Sequence, residues 1–179
     1  MYREIYEMNE LNGIAQDKGL TTRYEVEARN AAGELLWRED IHNLVTTAGL
    51  NDSLDKHFKA AGYTAAWYVG LTGNSPTFAA ADTMASHAGW SEVTAYDEAN
   101  RQTLTLGTVA AGSVDNSASK AVFTISTNST AVGGAFIVSV STKGGTTGVL
   151  YGGAAFSADR TLNDNDTLTI TATLTATAV

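Results

Sequence analysis

The densest group of chemically capable side chains lies between Asp82 and Arg101, where His87 is flanked along the chain by Asp82, Glu92, Asp97 and Glu98. An imidazole among carboxylates could form an acid/base pair or ligate a metal, because histidine titrates near neutrality and its neutral ring is a transition-metal ligand. No second histidine stands at ligand spacing, and Gly89-Trp90 reads as packing. The competing role is structural. His87 can hold neighbouring backbone groups by hydrogen bonds, Trp90 can plug the end of a sandwich, and Arg101 can pair with Glu92 or Asp97. We expect a structural clasp of His87, Trp90, Glu92, Tyr96 and Arg101, with no catalytic, cofactor-binding or metal-binding residues. A hydrolase using His87 with Glu92 or Asp97 is the weakest alternative.

Other candidates are thinner. The chain has no cysteine, which removes disulfides, thiolate zinc ligands and thiol nucleophiles. His42 and His57 have no serine or aspartate in a nucleophile context, and neither G-x-S-x-G, H-E-x-x-H nor a P-loop occurs. Thr142-Lys143-Gly144-Gly145-Thr146-Thr147 lacks the helix onset that a phosphate cradle needs and reads as a hairpin turn. Asn163-Asp164-Asn165-Asp166 and Asp115-Asn116 cluster the oxygen ligands that calcium takes, but without the spaced glycine and terminal glutamate of an EF-hand, so turns are expected there. Trp37, Trp67, Tyr68 and Trp90 could stack on a sugar, and are more simply core or interface residues.

The elements that must position these groups are mostly strands. Thr22–Asn30 sets Tyr24, Val26 and Ala28 against Arg23, Glu25, Glu27 and Arg29, the period of a half-buried strand. After the turn signal Asn30-Ala31-Ala32-Gly33, Glu34–Ile41 returns as the second arm of a hairpin, its imperfect alternation suggesting a bulge or an edge. Asn43-Leu44-Val45 is read as a break. From Thr46 or Thr47 a helix is expected to about residue 60, capped by either threonine or by Asn51, with Leu50, Leu54 and Phe58 along one face. Ala65–Leu71 follows as an apolar strand, and Asp82–Ala85 as a short helix. Strands are expected at Gln102–Thr108, Lys120–Ser126, Ala135–Thr142, Val149–Phe156 and Thr167–Thr175, with turns at Ala111-Gly112, Asp115-Asn116, Gly133-Gly134 and Gly144-Gly145. The last strand alternates Leu168, Ile170, Ala172 and Leu174 with five threonines. The expectation is a mainly β protein, an antiparallel, jelly-roll-like β-sandwich over 21–179 with one short helix near 46–60. An N-terminal arm over 1–20 precedes it, with Tyr2, Ile5, Tyr6 and Met8 as its candidate contact residues.

At 179 residues, 44% hydrophobic and 17% charged, the chain has the composition of a globular domain. A net charge of −8 suits phosphate backbones poorly, so no nucleic acid is expected as partner. No apolar run approaches the ~18 residues of a spanning helix, and no membrane partner is expected. The first residues lack the basic-then-apolar order of a signal peptide, which points to use or assembly in the cytoplasm. From Gln102 onward the only charged side chains are Asp115, Lys120, Lys143, Asp159, Arg160, Asp164 and Asp166. So sparsely charged a β surface protects weakly against edge pairing and makes sense where neighbouring subunits cover it.

Three stretches together, Asn43-Leu44-Val45-Thr46-Thr47-Ala48-Gly49-Leu50-Asn51, Trp67-Tyr68-Val69-Gly70-Leu71 and the run from Asp82-Thr83-Met84-Ala85-Ser86-His87-Ala88-Gly89-Trp90 to Asn100-Arg101, with Phe123, Phe136 and Thr167–Thr175 behind them, resemble small virion structural proteins of tailed bacteriophages. Within that group the chain is most similar to the capsid cement, or decoration, proteins, over about Asn43 to Val179. The resemblance implies a sandwich that binds the outside of the icosahedral shell as an oligomer, a dimer or trimer. There it clamps major capsid protein subunits against the pressure of packaged DNA, and no catalytic residues or cofactors are implied. It places the protein on the capsid exterior of the virion, assembled in the host cytoplasm. The rival reading is a tail- or head-fibre domain that binds host surface glycan.

Overall fold

The structure, a computed structural model, describes residues 19–59, 61–63 and 66–177. The candidate arm residues Tyr2, Ile5, Tyr6 and Met8 lie outside the described residues.

Among the described residues, ten strands and one helix follow in order. They are β1 (Gly19–Arg29), β2 (Leu35–Val45), α1 (Thr47–Phe58), β3 (Tyr68–Thr72), β4 (Glu92–Val93), β5 (Gln102–Thr103), β6 (Ser113–Asp115), β7 (Ala121–Thr124), β8 (Thr130–Val138), β9 (Leu150–Leu162) and β10 (Thr167–Thr177). All pairings are antiparallel, and the strands form one sheet in the order β4-β3-β8-β9-β2-β1-β10-β6, with β5 also on β3 and β7 also on β10. This sheet curls into a half-barrel whose two halves face each other as a β-sandwich. The halves are joined where β2 leaves β1 and pairs Leu44 with Gly153 and Val45 with Gly152.

The expected alternation explains the first half. Tyr24, Val26 and Ala28 of β1 and Leu168, Ile170 and Ala172 of β10 all face one core. On the outer face Arg23 pairs with Asp40 at 2.7 Å and Arg38 with Glu25 at 2.8 Å, exposed ion pairs that set register more than stability. Asn30 shapes the hairpin turn by accepting at Oδ1 from the backbone N–H of Ala32 and Glu34. The anticipated bulge lies beside that turn, where the register shifts between Ala28 and Arg29.

The second half is buried on both faces, which is why β8 does not alternate in burial. Ala135 and Ile137 belong to the main core. Phe136 and Val138, pointing the other way, form a second core with Met84, Trp90 and Leu150 beneath the segment that joins β3 to β4. This is a strand packed from both sides, whose sequence reads as a continuous apolar run.

Several expectations need correction. Asn43-Leu44-Val45 does not break the strand; it completes β2, because these residues carry the pairing from one half of the sheet to the other. Gly133-Gly134 is not a turn but the middle of β8, and the reversal is at Thr127–Ser129, where Ser129 has φ 60. Side chains at 133 and 134 would collide with Pro76, Gly73 O and Ala154 O, so glycine lets β8 pass under the 73–76 loop. Asp82–Ala85 is not a helix. Thr83 and Ser86 exchange backbone bonds of 3.0 and 3.1 Å, and Asp82 Oδ2 accepts from Ala79 N. Gly19 and Leu20, expected in the arm, begin β1 opposite Thr177 and Ala176.

The helix starts as expected and then faces the wrong way. Thr46 caps it by accepting from Gly49 N at 3.1 Å, and its own hydroxyl donates to Leu150 O at 2.5 Å, tying the helix start to β9. The residue that touches the sheet is Gly49, whose missing Cβ leaves room for the Tyr151 backbone. That contact turns the expected apolar face outward: Leu50, Leu54 and Phe58 are 40%, 55% and 75% exposed. Among the described residues no helix is long and apolar enough to cross a membrane.

Burial holds the phenols of Tyr24, Tyr96 and Tyr151 above the usual value of 10.0, Tyr24 and Tyr96 well above it. A folded-state pKa raised above the unfolded one stabilises the fold below the unfolded pKa, and that stability is lost as pH rises through the folded value. Unfolding is therefore expected to accompany phenol ionisation above pH 10.0. Phenolate absorbance and circular dichroism should change together in an alkaline titration; phenols that ionise fully with the fold intact would contradict this.

Candidate functional site

The Asp82–Arg101 run encloses two adjoining groups of side chains rather than one. Arg101, 2% exposed, is the centre of the first. Its Nε donates to Glu92 Oε1 at 2.9 Å and its Nη2 to Glu92 Oε2 at 2.7 Å, the fork-on-carboxylate geometry that only arginine offers. Nη1 donates to Val140 O at 2.9 Å and Nη2 also to Gly145 O at 2.7 Å, while Arg101 N donates to Ser141 O. Glu92 Oε2 accepts in addition from Gly144 N at 3.0 Å. The guanidinium lies 5.3 Å from the Phe136 ring centre. The pair thus binds β4, the start of β5 and the 140–145 loop into one unit, and the loop expected only as a hairpin turn is one of its walls.

Trp90 is the centre of the second group. Its indole stacks on His87 at 3.8 Å and 17°, and lies 4.9 Å from Phe136 and 5.3 Å from Phe78. Its Nε1 donates to Asp82 Oδ2 at 3.1 Å, and His87 Nδ1 is 3.1 Å from Trp90 O. Room for these rings comes from two strand glycines. Gly70 and Gly153 are the register partners of Phe136 on either side, and a Cβ on Gly70 would strike the Phe136 ring, one on Gly153 the Phe78 ring. Aromatic rings laid over strand glycines stabilise a sheet that would otherwise lack side-chain contact there.

Tyr96 adjoins the first group, its phenol close enough to feel the charges of Glu92 and Arg101. It packs edge-on against Phe123 at 5.0 Å in the main core, with Lys143 Nζ 4.1 Å from its ring centre. Lys143 donates to Tyr96 O at 2.7 Å and Glu98 O at 2.8 Å, so this lysine closes the same loop from the other side.

His87 meets none of the carboxylates that sequence proximity offered it. Glu92 is taken by Arg101 and Gly144, Glu98 accepts from Thr124 N, and Asp82 from Trp90 and Ala79. Of the two partners considered for Arg101, the structure selects Glu92. Among the described residues no three His, Asp or Glu side chains converge as a metal-holding group.

The two oxygen-rich turns have structural duties of their own. Asn116 is fully buried; its Oδ1 accepts from Ala172 N at 2.7 Å and its Nδ2 donates to Ile170 O at 3.3 Å. It thereby fills the gap on the edge of β10 between β6 and β7, where no strand supplies those bonds. The Ser117 hydroxyl and, after it, the Ser117 backbone N–H hold the Asp115 carboxyl pKa below its ordinary value. Asp166 Oδ2 accepts from Asn163 N at 2.8 Å, and Asp164 Oδ2 from Asn165 Nδ2.

Sequence reasoning missed the second half of each group. Phe78, Phe136, Val140, Gly145 and Lys143 come from distant segments, and the one available signal was glycine inside apparent strands, which marks a close approach. It also missed an apolar groove. The outward face of α1 opposes Leu106, Val109 and Leu174 across a cavity of about 770 Å³ floored by Trp67, Ile137 and Tyr151.

Compared with known proteins, the chain matches no family model and no curated protein.

Proposed function

We propose that the protein is a phage capsid cement protein: a non-enzymatic sandwich that binds the outer face of the icosahedral shell and clamps neighbouring major capsid protein subunits. The resemblance in Asn43–Asn51, Trp67–Leu71 and Asp82–Arg101 supports this reading. The observation that carries it is where the few late charges go. Lys143 is spent on the Tyr96 and Glu98 carbonyls, Asp159 on Ser75, Arg160 on the Trp37 face and Asp166 on its own turn. Of the charges after Gln102, Asp166 is buried, Asp115, Lys143 and Arg160 are half-buried, and Lys120, Asp159 and Asp164 are exposed. What is left is a firm surface of threonine, serine and alanine, inexpensive to desolvate against a neighbouring subunit. Many copies, each burying standard-sized contacts, resist rupture collectively.

The structure gives the fibre reading less to work with. Trp90 is in the second core, Trp37 packs on Phe156 at 5.5 Å, and Trp67 on Tyr151 at 5.7 Å, so these rings are not a free sugar platform. The strands at the ends of the sheet, β4, β5, β6 and β7, are two to four residues long and give edge-to-edge pairing little to hold, whereas β2 pairs with β9 only at Leu44 and Val45 and leaves the rest of that side open.

The test is stoichiometry. Purified virions are expected to contain the protein at a copy number comparable with the major capsid protein, and stripped shells to rebind it. A handful of copies per particle would point to a fibre or tail component.

A further inference from the structure

The β1–β2 hairpin leaves one long backbone edge without a strand beside it. β2 keeps unbroken register with β1 from Trp37 opposite Ala28 to Asn43 opposite Thr22, but meets β9 only at Leu44 and Val45. Thr46 N donates to Tyr151 O, so by the alternation of an antiparallel strand the N–H and C=O groups of Leu36, Arg38, Asp40 and His42 point away from β1. Among the described residues no strand pairs with them on that side, and all four are exposed. Such an edge is a template for another strand unless its side chains repel one.

We propose that this edge pairs with the same edge of a second copy, antiparallel and about a two-fold axis through Glu39. The order of charges selects both the occupant and the register. With Glu39 at the axis, Arg38 lies opposite Asp40 of the second copy and Asp40 opposite its Arg38, so both rungs are attractive. Moving the axis to Arg38 or to Asp40 would set two like charges face to face. Each of these side chains already leans toward an opposite charge on β1, Asp40 on Arg23 at 2.7 Å and Arg38 on Glu25 at 2.8 Å. Pairing therefore joins two short rows of charge into one ladder across the interface. The inner face matches in the same register, with Trp37 opposite Ile41 of the copy. Both are half-buried against the main core, and an aromatic ring beside a β-branched chain is a favourable cross-strand pair. The outward-pointing backbone groups supply about eight hydrogen bonds, two at each rung. Glu39 meets its own copy at the axis, and the Ser157 N–H, 3.0 Å from its Oε2, draws its carboxylate toward β9. Ala155, Ser157 and Ala158, exposed on β9 around that bond, are small enough for the copy's edge to approach. The inference concerns the free protein and goes beyond the shell reading, which it does not need.

Charge exchange in the full chain is the test. Arg38→Asp alone and Asp40→Arg alone each set like charges opposite one another on both rungs, whereas an equimolar mixture of the two variants restores opposite charges on both. Light scattering and sedimentation over a concentration series are expected to give a dimer for the unsubstituted chain, an affinity weaker by about ten-fold or more for each variant alone, and recovery of the dimer in the mixture. Both side chains are exposed, so circular dichroism melts should show each variant folded. An unsubstituted chain that stays monomeric into the high micromolar range would overturn the proposal, as would a trimer. A dimer that neither exchange weakens would overturn it in favour of another interface, and folded variants that stay apart when mixed would overturn the register and the proposal with it.

Discussion

Replacing Arg101 with alanine is expected to lower the free energy of unfolding by about 3–5 kcal/mol, the range for breaking a buried ion pair from one side. The magnitude comes from what is left behind. Glu92 would keep one donor, Gly144 N, for a carboxylate with little access to water, and the carbonyls of Val140 and Gly145 would lose theirs. Replacing both charges with leucine would remove the stranded carboxylate but still orphan those two carbonyls, so the double variant should recover only part of the loss. A denaturant-melt cycle of Arg101→Ala, Glu92→Gln and the double variant reads the coupling directly. The loss should hardly change with salt, because a buried pair is poorly screened. A cost under about 1 kcal/mol, or one that salt abolishes, would mean that the pair is solvated and does not clasp the loop.

Trp90→Ala should be comparably costly, about 3–5 kcal/mol, through the cavity it leaves in the second core. The ring is held between His87, Phe78 and Phe136, and the two strand glycines beneath have no side chains with which to refill the space. Trp90→Phe should recover most of this while losing the bond to Asp82. The loss should be local before it is global: amides between Gly73 and Ser91 should exchange faster in Trp90→Ala while those of β1 and β10 stay protected. A near-zero cost would mean that the indole is free to bind something else.

The outer half of the sandwich was legible because its physics is local. Period-two burial in β1 and β10 and the asparagine-shaped turn between β1 and β2 are written within ten residues of sequence. What was not legible depends on contacts made at a distance. Gly133-Gly134 carries the composition of a turn, and only Pro76 and Ala154 lying above it make it a strand. Leu50, Leu54 and Phe58 carry the spacing of a buried face, and only Gly49 fitting against Tyr151 turns them outward. The clasp was half visible for the same reason. Its motif side is continuous in sequence, so its members could be named, but the groups that saturate Arg101 and surround Trp90 arrive from β8, from the 140–145 loop and from Phe78.

The pairing of β1 with β10 sets the order of assembly. The first described strand lies along the last, from Gly19 opposite Thr177 to Arg29 opposite Thr167. During synthesis the β1–β2 hairpin can form early, but its inner edge has no partner until β10 has been made. Closure of the main core therefore waits for a pairing of high sequence separation, the topology that folds on the slow side for small domains. Until then a nascent chain carries Tyr24, Val26 and Ala28 on an open face, and the charged ladder of Arg23, Glu25, Arg38 and Asp40 on the opposite face keeps that waiting hairpin dispersed.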